Sequence, residues 1–281
     1  MEGFKRRKRM DVFARWACLG MVLIALVPLA SVLLDLGIKG LGGLDWALFT
    51  QLPKPVGESG GGMANAFVGS AILVGLSCLF GIPVGILGGV YLAEFGRNAF
   101  GKAVRFAADV MSGVPSITVG IFVYALVVLS MKRFSALAGG VALAILMLPT
   151  VMRTTEELLK LVPDALREAG LALGIPKWRV ILGVVLRTGA PGIATGVMLA
   201  LARAAGETAP LLFTAFGCNF MALRLDQPIG SLPVQIFTYA VSPYEEWHRQ
   251  AWAAALALVL GVLVLNILAR VLTRRPDRQG R

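Results

Sequence analysis

The sequence predicts an all-α integral membrane protein with six transmembrane helices, and three observations carry that prediction. The 281 residues are 57% hydrophobic and 15% charged, with a mean hydropathy of +0.77, whereas an average soluble domain is about 25% charged. The apolar residues gather in six runs of the roughly 20 residues that a helix needs to cross about 30 Å of hydrocarbon. The basic residues are segregated: 19 of the 27 Lys and Arg fall in the N-terminal tail, in 93–106, in 153–187 and from Arg270 onward. A net charge of +11 would point to nucleic acid in a polar protein; beside uncharged runs of this length it marks cytoplasmic tails and loops. The single histidine, His248, excludes a histidine metal centre or a Ser-His-Asp triad. Cys18, Cys78 and Cys218 lie in apolar surroundings and read as packing residues, not a disulfide framework.

Taken in order, Lys5, Arg6, Arg7, Lys8 and Arg9 precede the first run, 16–34. A basic start before an apolar stretch fits a secretory signal in part. The stretch is longer than a usual signal core, so the reading is an uncleaved helix behind a topology-setting charge cluster. The second run, 59–93, is too long for one straight span; Ser59-Gly-Gly-Gly62 reads as loop, which starts the helix near Met63. Runs three and four, 110–131 and 134–152, flank Lys132 and Arg133. The fifth, 188–223, is broken only by Arg203 and Glu207, and the sixth is 250–269. Pro28, Pro83, Pro115, Pro149, Pro191 and Pro210 fall in or beside these runs, where a bundle tolerates kinks. The positive-inside rule puts both termini in the cytoplasm, and an even number of spans agrees. The expected organisation is a tail, first helix and extracytoplasmic loop over 1–62, a five-helix unit over 63–272 and a basic cytoplasmic tail over 273–281.

Two hydrophilic stretches carry motifs. Residues 96–103 have the Gly-x4-Gly-Lys spacing of a phosphate-binding loop, but Ala103 stands where the Mg²⁺-binding hydroxyl belongs and an apolar helix, not a strand, precedes it. The reading is a short connector. In 153–187, Thr154-Thr-Glu-Glu157 has capping-box spacing and is expected to open a helix. Asp164 then caps a second one, Gly174 suits a left-handed helix end, and Pro176 suits the first turn of the next. A helix–turn–helix at the membrane surface results, carrying Trp178. It serves either as an amphipathic connector or as a docking surface.

At these residues a resemblance enters. Glu168-Ala169-Gly170, three residues and then Gly174 resembles the EAA loop of ABC importer permeases. Gly170 replaces the third Ala, and Val184-Val-Leu186-Arg187 stands where the family has Ile-x-Leu-Pro. Gly192-Ile-Ala-Thr195-Gly196 and Leu201-Ala-Arg203-Ala-Ala-Gly206-Glu207-Thr208-Ala209-Pro210-Leu211 are similar to the fifth helix of phosphate-importer permeases of the PstA type. Tyr91-Leu-Ala-Glu94-Phe-Gly96 and Ser112-Gly-Val-Pro115-Ser116 match as well, so the likeness runs from about Met63 to Tyr239.

The resemblance implies the type I ABC importer (MetI-like) permease fold in a bacterial inner membrane. Cytoplasmic EAA-type coupling helices, here Glu168, Ala169, Gly170, Gly174 and Trp178, would sit in a cleft of the ATPase. It further implies a homologous second permease (PstC-type), an ATPase dimer (PstB-type), an extracytoplasmic phosphate-binding protein (PstS-type) and surrounding lipid, with no nucleic acid. The chain would hold no catalytic residue and no cofactor, ATP and Mg²⁺ being bound by the ATPase. It would form half of an ATP-driven phosphate pathway. The alternatives are a permease for another oxyanion and a stand-alone ion-coupled anion transporter or channel. The latter predicts repeats with paired broken helices, and no convincing repeat is evident.

The pathway candidates follow from charge. An ionised side chain within the bilayer is costly, so it marks function by default. Arg203 and Glu207 are four residues apart, on one helical face, and neutralise each other when the pathway is empty. The forked guanidinium matches phosphate oxygens, and Thr195, Thr208 and Thr214 add hydroxyls. A second surface is Ser112, Ser116 and Thr118 around Pro115, which interrupts the helix ladder. Each candidate has a structural counterpart: an ion pair that fixes packing, a packing kink at Pro115, and a Thr195 hydroxyl bonded to its own helix.

Overall fold

A computed structural model describes residues 2–58 and 60–273, and among them every extended element of regular structure is a helix. In order come α1 (Glu2–Leu41), α2 (Trp46–Thr50), α3 (Ala64–Glu94), α4 (Ala99–Gly113), α5 (Ser116–Met131), α6 (Ala136–Lys160), α7 (Asp164–Ala172), α8 (Lys177–Ala205), α9 (Ala209–Leu212), α10 (Leu232–Ala240) and α11 (Glu245–Thr273). One isolated bridge, Phe216 to Ile229, is the extended pairing present there. Five helices (α1, α3, α6, α8 and α11) are long and apolar enough to cross a membrane. Of the expected tail 273–281, all but Thr273 lies outside the described residues.

The third run is not one straight span. α4 and α5 meet at Val114 and Pro115 with a bend of 107°. Pro115 offers no amide to the ladder and pushes Val114 into extended backbone, at φ −73 and ψ 132. Taken together, α4 and α5 are apolar and long enough to count as a sixth, broken span, and α4 is amphipathic. The resemblance to a phosphate loop in 96–103 resolves into a helix cap: the Asn98 side chain accepts from the Gly101 amide at 2.7 Å.

Two boundaries also differ from expectation. Thr154-Thr-Glu-Glu157 does not open a helix; nothing before Val162 and Pro163 stops α6, and the Thr154 hydroxyl donates to the Thr150 carbonyl at 2.5 Å inside it. The surface loop thus shrinks to 161–176. The fifth run stops being helix at Ala205, where Gly206 caps α8. Beyond α9, loop 213–231 returns over the start of α6, whose first amides it satisfies: Ser135 donates to Thr214, Ala136 to Gln227 and Leu137 to Leu225, each at 3.0 Å.

Small residues determine how the bundle closes. Ser77, Gly81, Gly85 and Gly89 recur every fourth residue on α3 and lie buried against α6. A Cβ built on Gly85 would stand 2.8 Å from Val151, and one on Gly89 2.6 Å from the Met152 carbonyl. That is the close backbone approach by which membrane helices gain packing energy in lipid. α8 crosses α6 in the same way, with Gly189, Gly192 and Gly196 on Leu159, Leu158 and Thr154. α1 touches the rest near its C-terminal end, where Gly40 meets Leu256 and the Lys39 ammonium lies 4.8 Å over the Trp252 ring.

Candidate functional site

Two helix breaks lie at one depth. Ala204, one residue from Arg203, packs in a cluster with Met147 and Val151; Val114 packs with Ile145 and Leu146. Residues 145–151 form the middle of α6, so the α4–α5 break and the end of α8 both fall near its mid-height. The breaks are joined by a backbone contact, because a Cβ on Gly120 of α5 would stand 2.6 Å from the Pro210 Cα of α9.

Arg203 occupies the last turn of α8, where a cation complements the helix dipole. Glu207 does not continue that helix, as the four-residue spacing implies; it follows the Gly206 cap and folds back toward the guanidinium. The Nε to Oε1 distance is 3.5 Å, with the Arg203 side chain 55% exposed and that of Glu207 16%. Charge-assisted pairs usually close to about 2.7–2.9 Å, so this one is loose and leaves donors of Arg203 open.

The other predicted residues separate. Thr208 leads into α9 beside Glu207, half-buried. Thr195 shares an exposed stripe of α8 with Leu199 and Arg203, two turns away. Its hydroxyl bonds the Pro191 carbonyl at 3.1 Å, and it lines a groove of about 350 Å³ with Asn266 and Arg270 of α11. Ser112 is exposed and donates to the Ala108 carbonyl at 2.9 Å, while Ser116 opens α5. Thr214 stands apart from Arg203: it is fully buried, with its hydroxyl donating to the Pro210 carbonyl at 2.8 Å. The surface expected around Pro115 is the N-terminus of α5, a positive helix end that lies at the same depth as Arg203.

The surface loop is a second site. Glu168 and Ala169 are exposed, as are Leu161, Leu166, Leu173 and Trp178, an apolar face turned outward. Gly170 is buried instead: a Cβ there would stand 2.9 Å from Val180 Cγ2, which accounts for glycine where the related motif has alanine. Gly174 closes α7 at φ +74, with Ile175 donating to Gly170 and Gly174 to Leu171 in the paired pattern of a left-handed cap. Asp164 does not cap; it is the first helical residue after Pro163, and its carboxylate accepts from Arg167 at 3.2 Å.

Two ion-pair groups escaped the sequence. Glu156 of α6 is fully buried and accepts from Arg105 at 2.6 Å, Lys160 at 2.5 Å and Arg153 at 3.1 Å. Glu94 of α3 accepts from Arg167 at 2.9 Å. Glu94 stood in a motif noticed in the sequence, but its partner is 73 residues away and no spacing indicates it. In loop 213–231, the Arg224 guanidinium beside Asp226, with Arg133 nearby, holds that carboxyl below the usual carboxylate range.

Comparison with known proteins agrees with this architecture. Residues 81–278 match the family described as binding-protein-dependent transport system inner membrane component. The chain is 48% identical to the phosphate transport system permease protein PstA of Yersinia pestis over 95% of its length and 90% of that protein's. It is 47% identical to the protein of that name from Haemophilus influenzae, over 89% of each. A chain of a bacterial alginate ABC transporter, crystallised in complex with its alginate pentasaccharide-bound periplasmic protein, shares the fold at TM-score 0.67 and 17% identity, covering 97% of this chain and 98% of that one. The MetNI methionine ABC transporter, in an inward-facing form, matches at TM-score 0.61 and 19% identity over 75% of this chain and 96% of that one. This chain is a multi-pass membrane protein belonging to the binding-protein-dependent transport system inner membrane component family, among the PstA permeases.

Proposed function

We propose that this chain is the permease subunit of an ATP-driven phosphate importer, forming half of the translocation pathway. The observation that carries the reading is Arg203: a permanent cation at mid-height of the bundle, at a helix break, held loosely by Glu207. An arriving phosphate competes with the Glu207 carboxylate for the guanidinium, and Glu207 regains it as the anion leaves, which keeps the site from binding its cargo too tightly. Thr208, Ser112 and Ser116 supply hydroxyls around the two breaks, and Thr195 marks the cytoplasmic continuation of the Arg203 stripe.

The partners follow from the same reading. A homologous second permease supplies the other half, and an extracytoplasmic phosphate-binding protein delivers cargo. An ATPase dimer, which holds ATP and Mg²⁺, engages Glu168, Ala169 and Trp178 around α7. Both termini face the cytoplasm of a bacterial inner membrane. Closure of the ATPase pair displaces α7 and rocks the bundle, while this chain performs no hydrolysis. Another oxyanion would suit the same guanidinium, so the discriminating experiment compares anions. The purified complex, assembled with its binding protein in vesicles, should hydrolyse ATP faster with phosphate than with sulfate. Equal stimulation by both, or an ATPase that does not copurify, would overturn the reading.

A further inference from the structure

α3 and α6 end side by side on the α7 side of the bundle, and each end is closed by an arginine from the surface helix that follows it. Arg105 of α4 donates to the Leu92 and Gly96 carbonyls at the end of α3, at 2.8 and 2.7 Å, and through Nε to Glu156 of α6 at 2.6 Å. Arg167 of α7 donates to the Leu159 and Val162 carbonyls at the end of α6, at 2.8 and 2.5 Å, and through Nε and Nη2 to Glu94 of α3, at 3.1 and 2.9 Å. The arrangement is reciprocal: each guanidinium caps one helix and pairs with a carboxylate on the other. Helix C-termini carry orphan carbonyls and negative dipole ends, so both arginines satisfy two needs at once. Neither pair is a surface ornament, since Glu156 is fully buried and the Glu94 side chain is 7% exposed.

We propose that Arg167 and Glu94 are positioning residues for transport, passing the displacement of α7 to α3 and α6 as one body. This rests on the permease reading above. α7 turns Leu166 and Ala169 outward and Arg167 inward. It also packs on α8, with Gly170 tight against Val180, and the turn 173–176 joins the two helices. The guanidinium fork fixes direction as well as distance. A push on α7 therefore reaches α3 and α6 together, which the glycine seam already joins. Because α8, which carries Arg203, packs on α6 through Gly189, Gly192 and Gly196, that displacement reaches the mid-height break.

The test uses the complete complex in vesicles, with Glu94→Gln, Arg167→Lys and, as a control, Asp164→Asn at the exposed partner of Arg167. Copurified ATPase, ATP hydrolysis and phosphate uptake are read in each sample. E94Q and R167K should assemble and hydrolyse ATP, while phosphate moved per ATP falls on the order of tenfold, a usual size for a coupling energy, at unchanged KM for uptake. D164N should match wild type. Unchanged phosphate per ATP in both variants overturns the proposal, and so does loss of the ATPase, which would make the pair a docking or folding element. Spin labels at Ala172 on α7 and Phe80 on α3 read the same transmission without reference to cargo. Their separation should hold on ATP binding in wild type and change in E94Q; equal behaviour in both contradicts the proposal. A wild-type complex that takes up no phosphate fails the functional reading, and the spin-label result still decides this one.

Discussion

At the scale of single residues, Glu207 and Gly174 make opposite demands. In the proposed function Glu207 competes with cargo for Arg203, so Glu207→Gln should strengthen phosphate binding and slow release, lowering KM and kcat of uptake together by several-fold. A KM that rises would contradict the competition. Gly174 has nothing within 4 Å of an added Cβ, yet its φ of +74 is left-handed. Gly174→Ala should therefore cost about 1–2 kcal/mol through backbone conformation alone, and Gly174→Asn less, measured as the loss of copurified ATPase and as Tm. Gly170 is the converse: Gly170→Ala would push Val180 from its place, so crowding rather than φ sets its effect. Asp226 differs again. Because its carboxyl is held below the ordinary range, its pairing with Arg224 persists at neutral pH and is lost only as pH falls through that lowered value.

At the scale of elements, the α3–α6 seam is the feature whose disruption is most predictable. Gly85→Leu places a side chain into Val151 and should destabilise the protein by about 1–3 kcal/mol or more, as overpacking does. Gly75→Ala, with open space around it, should be neutral; thermal unfolding in detergent distinguishes them. The spans were legible because hydropathy and charge exclusion act on each helix alone, so α1, α3, α6, α8 and α11 appear where the apolar runs lie. The break at Val114 and Pro115 was legible only as a possible kink, since a proline does not announce whether neighbouring helices will accept a 107° turn. The end of α6 was misread because Thr154-Thr-Glu-Glu157 carries a real capping pattern that an already propagating helix overrides. Glu156 looked like part of that cap and is instead the buried partner of Arg105, 51 residues earlier. Thr214 looked like a pathway hydroxyl and is fully buried at the start of loop 213–231, bonded to the Pro210 carbonyl. Contacts of this kind depend on how the helices assemble, which one-dimensional spacing does not contain.

At the scale of the whole molecule, the strong positive charge and the anion chemistry separate. Most basic residues lie in tails and surface loops, where they orient the chain and close helix ends, as Arg105 and Arg167 do. In the proposed function the pathway rests on Arg203, exposed at a mid-height break between α8 and α9, and ATPase docking rests on α7 with its outward Leu166, Leu173 and Trp178. The two are far apart in sequence terms but joined by α3, α6 and the glycine seam, so a push at α7 has a continuous path to the break. The measurement that tests this most directly is phosphate uptake into vesicles holding the complete complex, with Arg203→Ala set beside wild type and copurified ATPase read in both. The account predicts that Arg203→Ala assembles with its ATPase and loses uptake; uptake at the wild-type rate would contradict it.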